Sequence, residues 1–105
     1  MSNREQQFKD MVKEFPDSAM AHFSLGRLYL DEKRFSEAVT PFTAAIALDA
    51  QYAAAHVALG DAWAGLSEKE KAKASWQAAL ETAHGRRDAS LQADLEQRIR
   101  DIDDF

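Results

Sequence analysis

Shifted by 34 residues, the chain matches itself. Residues 19–50 fall on 53–84, and eight pairs are identical: Ala19/Ala53, Ala21/Ala55, His22/His56, Leu25/Leu59, Gly26/Gly60, Ala38/Ala72, Ala44/Ala78 and Ala45/Ala79. Tyr29/Trp63, Phe42/Trp76, Ile46/Leu80 and Phe23/Val57 keep their character. A fixed period of this length marks a supersecondary unit that buries its apolar face against its neighbours, not within itself. Alanine decides what the unit is. It fills 20 of 105 positions, beside only four Gly and two Pro, and it is the best helix former and a poor strand residue. The fold class is therefore all-α, with each copy a pair of helices.

In copy one the first helix is expected from Asp17 or Ser18 to Leu30, and the second from Phe35 to Leu48 after the break Asp31-Glu32-Lys33-Arg34. In copy two the spans are Tyr52 to Ala64 and Glu68 to Ala83. Gly65 is expected in the left-handed position that ends a helix, and Ser67-x-x-Glu70 reads as a capping box. Pro41 falls inside a helix, where it removes a hydrogen bond and predicts a bend. Residues 87–104 form a further helix by pattern, with Leu91, Leu95, Ile99 and Ile102 on one stripe and a charged opposite face. With Asn3 to Glu14, about six helices are expected.

Gly26 and Gly60 sit mid-helix, where glycine costs about 1 kcal/mol against alanine. The missing side chain makes room for a second helix, with Ala38 and Ala72 as the matching small surface and Tyr29, Phe42, Trp63 and Trp76 filling around the crossing. These residues resemble the tetratricopeptide repeat, a 34-residue helix-turn-helix unit with the pattern W-x2-L-G-x2-Y…A-x3-F…P. Copy one carries it as His22-x2-Leu25-Gly26-x2-Tyr29…Ala38-x3-Phe42…Ala45, and copy two as His56-x2-Leu59-Gly60-x2-Trp63…Ala72-x3-Trp76…Ala79. Histidine replaces the first tryptophan in both, and Ala50 and His84 stand in the closing proline slot. Backward in the same frame, Phe8, Met11 and Pro16 take the slots of a preceding second helix. The resemblance implies a helix-turn-helix solenoid in one domain: a half-repeat over 3–16, repeats at 19–52 and 53–86, and a capping helix at 87–104.

Composition and motifs bound the function. A net charge of −5 argues against a nucleic-acid binder, which needs a basic face. With no cysteine there is no disulfide and no thiolate metal site. The opening Met1–Gln7 is polar and lacks a signal peptide's apolar core, and no apolar run approaches the roughly 20 residues that span a bilayer. The expectation is a soluble cytoplasmic protein that binds no membrane. There is no phosphate loop, HExxH motif or nucleophile elbow, so no enzyme, metal or cofactor is expected. His22 and His56 hold packing slots too far apart to share zinc. His84 is read as a helix-end residue, Lys69, Lys71 and Lys73 as solvated, and Arg86-Arg87 as a loop.

The resemblance further implies a concave groove lined by first-helix positions that avoid the packing face. These are Met20, Phe23, Ser24, Arg27 and Leu30 in copy one, and Ala54, Val57, Ala58, Asp61 and Ala64 in copy two. Met20, Phe23 and Leu30 make an apolar stripe. Either a terminal helix covers it, or it receives a partner's helix or extended peptide, with Phe23 as a hot-spot candidate and an Arg27–Asp61 pair across it. The Lys and Asn of the family's carboxylate-gripping members are missing at Phe23, Arg27 and Ala58. The expected function is a protein-interaction module or scaffold. The alternative is self-association through the stripe of the last helix.

Overall fold

The computed structural model describes residues 3–104; Met1, Ser2 and Phe105 lie outside the described residues. Seven helices and no strand are present among them: α1 Asn3–Glu14, α2 Ala19–Asp31, α3 Phe35–Leu48, α4 Ala53–Gly65, α5 Lys69–Glu81, α6 Ala83–Arg87 and α7 Ala89–Ile102. The pairs α2/α3 and α4/α5 are the two copies, and they stack through α3 on α4. One flank is covered by α1 on α2, the other by α7 on α5, in a body of 38 × 29 × 19 Å.

The aromatic rings of α3 and α5 explain the mid-helix glycines. A Cβ added to Gly26 would lie 2.7 Å from the Phe42 ring, and one added to Gly60 would lie 2.4 Å from the Trp76 indole. Both rings are buried, so neither can swing aside. Around them form two clusters: Tyr29, Ala38 and Phe42 with Ala58 and Ala62, and Ala72, Trp76 and Ala79 with Leu95 and Ile102. Ala45 is buried as well, while Leu25 and Leu59 lie half-buried against the first cluster and Trp63 against the second. Alanines thus seat α4 on α3, whereas large residues seat α7 on α5.

The histidines do one job twice. His22 Nε2–H donates to the Pro16 carbonyl at 2.8 Å, and His56 Nε2–H to the Ala50 carbonyl at 2.9 Å. Each ring ties the start of its helix to the connection before it. The turn inside each copy also repeats. Arg34 N donates to Tyr29 O at 2.8 Å and Glu68 N to Trp63 O at 2.9 Å, with Lys33 at φ 59° and Ser67 at φ 61°. This is the Schellman ending, in which a left-handed residue lets the next amide reach back to an orphan carbonyl.

That turn corrects two expectations. Ser67, not Gly65, is left-handed, and Ser67 caps nothing: α5 begins after Glu68 without a side-chain cap. Gly65 is the last residue of α4, and its bare Cα accommodates the Phe35 ring, which a Cβ would meet at 2.5 Å. The expected count of about six helices also changes. Thr82, buried, donates to the Ala79 carbonyl at 2.8 Å and accepts from Gly85 N at 2.9 Å. It ends α5 early and starts the short α6, so His84, Arg86 and Arg87 lie on a helix of their own. Pro41 is buried inside α3, which runs through it unbroken.

A charge network holds α1. Glu5, 7% exposed, occupies the slot of Val39 in the repeat frame. It accepts from Arg34 at 2.7 Å, from Tyr29 Oη at 3.4 Å, and pairs with Lys9 at 3.0 Å. Arg34 lies over the Tyr29 ring at 4.5 Å and also binds Glu32 and Glu37. The Arg34 and Lys9 hydrogen bonds hold the Glu5 carboxyl at about 2, well below its usual 4.5. On the opposite flank Lys73, in the same slot of α5, binds Asp103 at 2.8 Å.

Two outcomes follow from this packing. Gly60→Ala gains helix propensity but forces Trp76 out of place, and the net result in urea denaturation is a loss of about 1–3 kcal/mol. Because the folded Glu5 pKa lies below the unfolded one, its stabilisation is complete above pH 4.5 and drains away as pH falls toward about 2. Glu5→Gln should therefore be less stable at neutral pH and lose less stability than the parent across that window. Parallel denaturation curves of the two proteins against pH would refute this.

Candidate functional site

Where α2, α4 and the α6–α7 corner meet, the surface opens into a cavity of about 530 Å³, within the size range of ligand pockets. Phe23 and Arg27 enter it from α2, Ala54, Val57 and Ala58 from α4, and Leu91 from α7. Tyr52, just before α4, forms its aromatic wall: the Tyr52 and Phe23 rings stack with centroids 5.0 Å apart at 30°. Asp49, Gln51, His84 and Asp88 stand at the rim. The rim is held by the backbone. Gln51 Oε1 accepts from Ala83 N at 2.9 Å, joining the α3–α4 connection to α6. Asp88 caps α7 by accepting from Leu91 N at 2.9 Å, and Asp49 accepts from Gln51 N at 3.0 Å. Burial, with the Asp49 carboxylate beside it, pushes the Tyr52 hydroxyl pKa up.

Five of the ten groove residues read from the sequence thus share one cavity: Phe23, Arg27, Ala54, Val57 and Ala58. The other five do not line it; Ala64 is half-buried against the second core cluster. Met20 points into solvent, 67% exposed. Ser24 is half-buried, and Leu30 is half-buried against the first core cluster. Asp61 turns away from the cavity, accepting from Arg98 of α7 at 2.7 Å and from Trp76 Nε1 of α5 at 3.1 Å. The expected Arg27–Asp61 pair is therefore absent; Arg27 pairs with Asp31 at 3.3 Å. Burial pushes the Asp61 carboxyl pKa up against the pull of Arg98. Phe23 is only partly a groove residue, since its ring also contacts the buried Phe42 ring at 5.7 Å.

As lining residues, Tyr52, Asp49, Gln51, His84, Asp88 and Leu91 escaped the sequence reading. They sit in connections, on α6 or on α7, outside the first-helix positions that the repeat frame selects. Tyr52, an aromatic in a helix-entry position, was the one visible signal. Among the described residues no three His, Asp or Glu side chains gather where a metal could be held, and no helix is long and apolar enough to cross a membrane.

No protein-family model and no curated protein matches the chain. Its fold is similar to that of protein BPP2914 from Bordetella parapertussis, known from a solution structure, with a TM-score of 0.80 and 24% sequence identity over 97% of this chain and 89% of that one. The likeness extends over nearly the whole all-helical, repeat-like body, both terminal helices included. At that identity it speaks for the fold alone.

Asp61→Ala leaves the Trp76 indole N–H without its acceptor and Arg98 with Asp94 alone, and should cost about 1–2 kcal/mol. Asp61→Asn, which keeps an acceptor for the indole, should cost less. Equal stability of all three proteins in chemical denaturation would show that Asp61 does not lock α7 to the second copy.

Proposed function

We propose that the chain is a tetratricopeptide-like interaction module, acting without catalysis, that docks a helix or extended segment of another protein in the α2–α4 cavity. The observation that carries the reading is the cavity itself. Phe23, Tyr52, Val57 and Leu91 present apolar surface there, although the chain has two terminal helices with which to cover it. Those helices instead spend their apolar faces elsewhere, α1 on α2 and α7 on α5. Concave apolar surface with a few convergent polar groups is the usual form of a docking site. A cytoplasmic, scaffold-like role belongs to the same reading.

Self-association through the last helix draws no support from the packing. Leu95 and Ile102 are buried against Ala72, Trp76 and Ala79, and Leu91 and Ile99 are half-buried beside them.

Ala54 is exposed at the cavity wall, so a large side chain there fills the groove without entering the core. Selection of a random peptide library on the immobilised protein should enrich segments whose affinity drops at least about tenfold on the Ala54→Trp variant, with helicity and melting unchanged. Enriched peptides that bind parent and variant equally would place docking elsewhere.

A further inference from the structure

The cavity rim is unequally charged. Two carboxylates, Asp49 and Asp88, line it, while Arg27 is the guanidinium on the lining and is already paired with Asp31 at 3.3 Å. Arg86 and Arg87, exposed on α6, are not on the lining. Backbone amides orient one oxygen of each carboxylate, through Gln51 N and Leu91 N, which leaves acceptor capacity on both side chains because a carboxylate offers about four lone-pair sites. His84 Nε2, at 3.3 Å from Asp88 Oδ2, is a loose and exposed neighbour. Beside the carboxylates stand the stacked rings of Tyr52 and Phe23, and aromatic faces attract cations.

Carboxylate, aromatic wall and alanine-valine floor suit one kind of side chain: a long aliphatic stem that ends in a positive charge. Arginine and lysine lay such stems on apolar surface and keep the head among polar groups. We infer that the groove receives a partner segment carrying an arginine or lysine among apolar residues, its stem on Ala54 and Val57 and its head between Asp49 and Asp88. The inference rests on the groove being a docking site. An acidic segment would instead meet like charges at this rim, a juxtaposition that interfaces avoid, and the chain's own net charge of −5 adds to that repulsion.

The test uses three short acetylated, amidated peptides with one leucine-rich frame and Arg, Gln or Glu at the flanking positions, titrated onto the isotope-labelled protein by nuclear magnetic resonance. The Arg peptide should bind about tenfold tighter than the Gln peptide and tighter again than the Glu peptide, shifting the signals of Val57, Ala58 and Leu91. Its affinity should fall as salt is raised, because exposed charges are screened. Asp49→Asn with Asp88→Asn keeps both amide-accepting oxygens, since Asn caps helices as well as Asp does, and should erase the preference. Equal affinity of the three peptides, or a preference that survives in the Asn variant, overturns the charge inference and leaves the docking reading standing. If no peptide binds, both fall. Sedimentation of the protein alone closes the remaining case: a dimer dissolved by Ala54→Trp puts a second copy in the groove and also overturns the inference.

Discussion

The structure depends on a ring lying across a bare stretch of helix backbone. Phe42 crosses Gly26 and Trp76 crosses Gly60, each at a separation that no Cβ permits. Once the helices of a pair are that close, the alanines beside the ring, Ala38 and Ala45 or Ala72 and Ala79, are sealed from water. Burial of the ring, about 1.5–3 kcal/mol for an aromatic of this size, offsets the helix propensity given up at glycine. Everything else is arranged around these two crossings. Histidines fix where each pair begins, Schellman turns fix where it folds back, and α4 seats Ala58 and Ala62 in the cluster that holds Phe42 of α3.

The flanks are handled by charge. Val39 in the middle layer corresponds in the repeat frame to Glu5 before it and Lys73 after it. The middle residue packs against the core, whereas the outer two hold ion pairs with Arg34 and Asp103. Asp61 with Arg98 adds a second tie at the α7 end. Ion pairs at half-exposed sites contribute modestly to stability. Together with the apolar contacts they fix α1 on α2 and α7 on α5, which leaves an opening between α2 and α4.

The proposed docking role and the cation-bearing segment both follow from that opening. Its floor is smooth because copy two has alanine where copy one has larger residues, and its rim is acidic because Asp49 follows α3 and Asp88 precedes α7. A groove built this way separates two tasks. In the proposed docking the apolar floor would supply contact area with any segment and the rim would discriminate by charge, which governs specificity and encounter rate more than affinity.

The period of 34 and the alanine content together determined the helix pairs. A run of good helix formers with apolar residues on one face has few alternatives, and α1 and α3 were legible to the residue. The packing slots were legible too, because a mid-helix glycine facing an aromatic in the next helix reads as a crossing. Local signals failed where tertiary contact chose between equivalents. Gly65 looked like a left-handed glycine, but Phe35 from the other copy needed its bare Cα, and Ser67 took the left-handed position. Thr82 held no visible stop signal, yet its two hydrogen bonds end α5 and start α6. Asp61 looked like a groove residue until Arg98 and Trp76 claimed it. Periodicity reports which face of a helix is apolar, because that is a property of neighbours in sequence. Which of those faces meets a second helix, and which is left as a cavity wall, depends on residues brought from tens of positions away, and only the folded chain decides it.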